Sequence, residues 1–174
     1  MTRFFLVQHA SAELIAGDPG LTGAGRAQAA ELARGFRGLG SVYSSPLRRA
    51  RETAAPIAAA ARLTVVVDDR LTERLNWTGG QQFFREWDRT VADRDYVPPG
   101  GWSSRQAGDR LLAFLSDHAG TPNPIVAVTH GGVTVDLLRT LLGDDAVPPS
   151  LLDGVPSGSI TTLEDLEVLQ IASL

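Results

Sequence analysis

The chain has 174 residues, 43% of them hydrophobic, a formal net charge of −4, three His and no Cys, and all 16 of its basic residues are Arg. Without lysine there is no phosphate-loop lysine, Schiff-base amine or lysine general base, and without cysteine no thiolate nucleophile, disulfide or Cys-based metal site. The mildly acidic balance has no block of like charge, and no window approaches the roughly 20 apolar residues of a membrane span, so the chain reads as soluble and cytoplasmic, with no nucleic-acid or membrane partner.

The length suits one domain, residues 1–174. Arg3 to Gln8 is a continuous apolar run of strand length, as in a strand buried on both faces of an α/β sheet. Past a loop with Gly17 and Gly20, Thr22 caps a helix expected to reach Arg37, stopped by Gly38 and Gly40. Ser41 to Ser44 reads as a short second strand, Pro46 as the first turn of a helix running to about Ala61, and Leu63 to Val67 as a β-branched third strand. Gln81 to Asp93 has helical periodicity with Phe83, Phe84 and Trp87 on one face, and Pro98-Pro99-Gly100-Gly101 breaks it. A helix from Ser103 to about His118, an apolar strand Ile125 to Thr129, and a helix Val133 to Leu142 follow. Ser159 to Leu163 and Val168 to Ala172 suit a closing hairpin. This alternation predicts a three-layer α/β/α sandwich around a mixed, largely parallel sheet.

Two of the three histidines share one context: His9 follows the strand ending at Gln8, and His130 the strand ending at Thr129. Ligands of open parallel sheets bind beyond the carboxyl ends of the strands, where both imidazoles would stand. The run Ser45-Pro46-Leu47-Arg48-Arg49 is again a strand end entering a helix, where free amides and an Arg suit an anion.

These residues, in this order, resemble the histidine phosphatase superfamily, the phosphoglycerate-mutase-like proteins. Leu6-Val7-Gln8-His9-Ala10 resembles its opening strand and Arg-His-Gly motif, and Ser45 to Ala54 its Ser-x-Leu-x-Arg-Ala-x-x-Thr-Ala motif. Leu71-Thr72-Glu73 resembles its acid motif, and His130-Gly131-Gly132-Val133 its second histidine motif. The resemblance implies a metal-independent phosphomonoesterase acting on a small phosphorylated metabolite, without a cofactor, as a monomer or homodimer. It makes His9 the nucleophile, Glu73 the general acid and base, and His130 the third catalytic group, with Gln8, Arg49 and the Gly131 amide around the phosphoryl group.

The chain departs from the family pattern at several positions. Gln8 stands where the family has Arg, and a neutral donor contributes about half as much as a charged one. Ala10 replaces Gly, Ile15 replaces a substrate-contacting Asn, and Trp102 replaces an acidic residue. Arg74 matches the mutases' Glu-Arg pair, in which the Arg helps to hold a substrate carboxylate. Six aromatic residues, Trp77, Phe83, Phe84, Trp87, Tyr96 and Trp102, fall in residues 77–102, a segment that covers the site in this family. They suggest an aromatic-walled pocket for an apolar or ring-bearing leaving group. Phosphoglycerate mutation, or a catalytically weakened phosphate- or partner-binding protein, are the competing readings; the covering segment is short for a mutase.

Overall fold

The computed structural model describes residues 1–174. Six strands form one sheet in the order β3-β2-β4-β1-β5-β6. β1 (Arg3–Gln8), β2 (Ser41–Ser44), β3 (Val65–Val67) and β4 (Ile125–Thr129) are parallel, and β5 (Ile160–Glu164) and β6 (Glu167–Ser173) run antiparallel beyond β1. The central pair β1 and β4 is apolar on both faces, and the pleat splits its side chains between two layers. Phe4, Leu6, Ile125 and Ala127 pack against α4 (Ser104–Asp117) and α5 (Gly131–Leu142). Val7, Val126 and Val128 pack against α1 (Gly23–Gly35) and α2 (Arg48–Ala61). The chain thus has the expected three layers.

The element boundaries differ from expectation where capping decides them. α1 ends at Gly35, short of Arg37, because Phe36 already turns extended, while Thr22 caps its start by accepting from the Gly25 amide. α2 starts at Arg48 rather than Pro46, since Leu47 is extended, and Pro46 stays in the loop that carries Ser45. α4 is capped by Ser103 in a reciprocal pair with Gln106. α5 starts at Gly131, two residues before Val133, because His130 is itself the extended N-cap residue. The closing hairpin turns through Asp165 and Leu166, both at positive φ, as a tight two-residue hairpin turn requires.

The remaining helix, α3 (Gly80–Ala92), lies in the expected covering segment. It is tied down by a buried polar network. Arg94, just after it, donates to the Asp136 carbonyl and Thr140 Oγ1 of α5 and to Asp144, and Arg139 of α5 donates to the Val91 carbonyl and to Asp144. No helix is long and apolar enough to cross a membrane.

Candidate active site

The carboxyl ends of β1, β2 and β4 meet at one point, and each delivers a side chain there. His9 leaves β1 with its Nδ1 2.8 Å from the Ala10 carbonyl. A carbonyl only accepts, so Nδ1 carries the proton and Nε2 presents a lone pair. Arg49 Nε donates to that lone pair at 3.1 Å, and the Gln8 amide nitrogen lies 3.4 Å from it. Burial, the larger cause, and the Arg49 charge lower the His9 pKa to about 4, against the opposing pull of the Ala10 carbonyl, so the ring is neutral at pH 7.

His130 stands beside it, ring centroids 5.2 Å apart and nearly edge-on, with Nε2 2.8 Å from Ser45 Oγ. It is fully buried, and that burial, with the nearby His9 and Arg49, holds its pKa well below the usual imidazole range. Arg49 sits in the first turn of α2, fixed by Asn76 Oδ1 at 3.2 Å, and its Nη1 is buried without an acceptor. Gly131 is the first residue of α5, so its amide has no intrahelical acceptor and adds to the positive end of that helix.

Glu73 is held as a bracket between two chain segments. One oxygen accepts from the Arg74 amide and the other from the Gly132 amide, both at 2.9 Å. A Cβ on Gly132 would lie 2.4 Å from the Trp87 ring and 2.7 Å from the nearer Glu73 oxygen, so the second glycine after His130 is what admits the carboxylate to the helix end. Upstream, Arg110 of α4 donates to the Thr72 carbonyl at 2.6 Å and to that of Asp69 at 3.2 Å, stapling the loop that leads to Glu73.

His9, Arg49 and Glu73 line a cavity of about 580 Å³ together with Trp77, Phe83, Phe84, Trp87, Asp88 and Asp153. A second cavity, of about 350 Å³, shares His9, Arg49 and Trp77 and is bordered by Ser11, Glu13 and Ser157. Four of the six expected aromatic residues therefore wall the site. Tyr96 instead hydrogen-bonds Glu86, and Trp102, about half exposed, lies over the Arg110 guanidinium.

Arg74 is not where the Glu-Arg resemblance implies. Only 1% exposed, it donates through Nη1 to both Asp136 oxygens at 2.9 and 3.0 Å, and its guanidinium lies 3.8 Å from the Trp87 ring centroid. Burial pushes the Asp136 carboxyl up to about 6, against the opposing pull of Arg74. Its Nη1 is thus engaged by Asp136 and its Nε by Thr90 Oγ1, its Nη2 is buried without an acceptor, and Arg74 does not line the cavity.

Two supporting groups escaped the sequence reading. Asn76 lies in a stretch without periodicity and carries no signal. Arg110 reads as one more exposed helix cation. Thr53, the Thr of the Ser45 to Ala54 motif, accepts from the Ala10 amide and donates to the Arg49 carbonyl. No three His, Asp or Glu side chains converge in a way that could hold a metal ion.

A neutral imidazole flanked by a second histidine, an arginine with a free donor and a bracketed carboxylate at the ends of parallel strands define a class. The chain belongs to the histidine phosphatase superfamily (branch 1), whose family model matches residues 5–165. A Mycobacterium tuberculosis protein described as bifunctional is 36% identical over a stretch that takes in 64% of this chain and 37% of that protein, so the chain spans little more than a third of the curated relatives it matches. Among solved structures, a mycobacterial glucosyl-3-phosphoglycerate phosphatase superposes with a TM-score of 0.74 at 28% identity, covering 93% of this chain and 89% of that one. A phosphoserine phosphatase from Entamoeba histolytica, solved with phosphoserine, gives 0.72 at 26% identity over 93% and 90% of the two chains. Membership of this superfamily and these neighbours support a phosphatase.

Proposed function

We propose that the protein is a metal-independent phosphomonoesterase that hydrolyses a small phosphorylated metabolite through a phosphohistidine on His9. The observation that carries this reading is the His9 tautomer, with Nδ1–H committed to the Ala10 carbonyl and a neutral Nε2 turned toward Arg49.

In the first half-reaction the Nε2 lone pair forms the N–P bond while the ester P–O bond breaks. Its electron pair leaves on the alkoxide oxygen, which takes the Glu73 proton. In the second half-reaction Glu73 accepts a proton from water, the water oxygen bonds to phosphorus, and the N–P electron pair returns to His9. Arg49, through its free Nη1, the Gly131 amide and Gln8 supply donors to the phosphoryl oxygens, and neutral His130 gives a further one without adding a charge. Hydrolysis is favoured over phosphoglycerate mutation because Arg74, the residue matched to a carboxylate clamp, is paired with Asp136.

The test is turnover of p-nitrophenyl phosphate in EDTA, with rapid quenching to trap a phosphoenzyme labile in acid and stable in base. We expect turnover and label in the wild type and neither in His9→Ala. Equal activity in that variant would overturn the mechanism, and loss of activity in EDTA would overturn metal independence.

A further inference from the structure

The cavity lined by His9, Arg49 and Glu73 is mostly aromatic and acidic. The only cation lining either cavity is Arg49, whose Nε is already engaged by His9. In the same cavity, Trp77, Phe83 and Phe84 form edge-to-face or tilted pairs with centroids 4.8 to 5.6 Å apart, and Phe83 stacks on Trp87 at 5.7 Å. Asp88, on α3 with Phe83, Phe84 and Trp87, and Asp153 line the same cavity, and Glu13 lines the adjoining one. All three carboxylates are solvent-exposed, and none is in an ion pair.

Ring faces attract cations through their quadrupole, and carboxylates lining the same cavity add a Coulombic term; Trp87 already carries the Arg74 guanidinium, so the rings left for a ligand are those of Trp77, Phe83 and Phe84. A leaving group bearing a carboxylate would meet Asp88 and Asp153 with no partner. A neutral apolar one would use the rings and leave the carboxylates idle. Resting on the phosphomonoesterase reading, we propose that the substrate's leaving group is an apolar organic cation, an amine or ammonium on a hydrocarbon or ring body, seated between the aromatic wall and Asp88 and Asp153. The phosphoryl group then binds at His9 and Arg49 and the cation among the rings and the two Asp of the same cavity. The site thus recognises a molecule with charges of opposite sign at its two ends.

The test compares phosphocholine with its uncharged isostere 3,3-dimethylbutyl phosphate, in the wild type and in the double variant Asp88→Asn with Asp153→Asn. The ratio of kcat/KM for the two esters is read within each protein, so altered folding cancels, and comparing the ratio between proteins cancels the esters' intrinsic reactivity. We expect the ratio to fall about tenfold in the double variant. We also expect 3-phosphoglycerate to be a poorer wild-type substrate than either ester. An unchanged ratio overturns the proposal and leaves hydrolysis standing if p-nitrophenyl phosphate is still turned over through His9. Calorimetric titration of His9→Ala, with and without the Asp substitutions, measures the same discrimination as binding. It therefore decides the proposal even if no ester is hydrolysed: tighter binding of phosphocholine that depends on the two Asp supports it, and equal binding overturns it.

Discussion

Replacing Gln8 with Arg asks how much of the phosphate grip this chain has given up. The Gln8 side chain ends 3.4 Å from the His9 lone pair, beside the oxygens of a phosphoryl group in flight to that nitrogen, and its Oε1 is buried without a donor. A charged donor contributes roughly 1.5 to 3 kcal/mol where a neutral one contributes roughly 0.5 to 1.5. Gln8→Arg should therefore recover roughly 1 to 1.5 kcal/mol of transition-state binding, or ~5- to ~13-fold in kcat/KM. The added charge leaves the nucleophile in place, because the His9 pKa is already about 4 and a second cation lowers it further from pH 7. It does crowd Arg49, so the free variant should melt a few degrees lower, on the order of 1 kcal/mol, and inorganic phosphate should stabilise it more than the wild type. Steady-state kinetics with p-nitrophenyl phosphate and thermal melts with and without phosphate read both effects. A folded Arg variant that phosphate stabilises but that gains nothing in kcat/KM would refute the reasoning.

Glu73→Gln loses the proton and, because both Glu73 oxygens accept from backbone amides, turns one of those two acceptors into a donor. We expect alkyl phosphate turnover to fall ~100-fold or more, and p-nitrophenyl phosphate, whose leaving group needs little protonation, to lose much less; a leaving-group series measures the difference. Between about pH 6.5 and 4 the unfolded chain protonates His9 while the folded chain resists it. Stability is therefore complete above 6.5 and is lost as pH falls toward 4, a trend that denaturant titrations across that range would show. Over the same range kcat/KM should keep a neutral nucleophile, its acid limb lying near 4 rather than 6.5. Gly132→Ala should cost at least tenfold in kcat and on the order of 1 to 3 kcal/mol in stability, because its methyl enters the space of Trp87 and Glu73.

The parts of the site that depend on strand ends were legible in the sequence, because an apolar run followed by His marks both the sheet and the point where its ligand site opens. His9, Arg49 and His130 come together for that reason. The carboxylate was legible only through its motif, since nothing in Leu71-Thr72-Glu73 shows that the acid will be bracketed by the start of α5; that follows from the absence of a Cβ at Gly132. Arg74 was misplaced for a related reason. Adjacency in sequence to Glu73 suggests a shared site, but the chain bends at Arg74, whose side chain turns inward to Asp136, 62 residues away. Asn76, in an aperiodic stretch, could not be found from pattern at all.

The Arg74–Asp136 pair also separates two ways of using the same Glu-Arg dipeptide. If Arg74 held a substrate carboxylate, Arg74→Met would raise KM for 3-phosphoglycerate and leave stability nearly unchanged. In this structure the side chain is 1% exposed, and its removal leaves a fully buried Asp136 without its cation, while Ser104 Oγ still donates to it. Breaking one side of such a pair costs roughly 3 to 5 kcal/mol, whereas replacing both partners with apolar groups of similar volume is often neutral. We expect Arg74→Met to lose about that much in urea unfolding, and Arg74→Met with Asp136→Leu to recover most of it. KM values for carboxylated and uncharged phosphate esters should change by the same factor. A selective rise for the carboxylated ester, with stability intact, would return Arg74 to the substrate and undo the charge argument for the outer cavity.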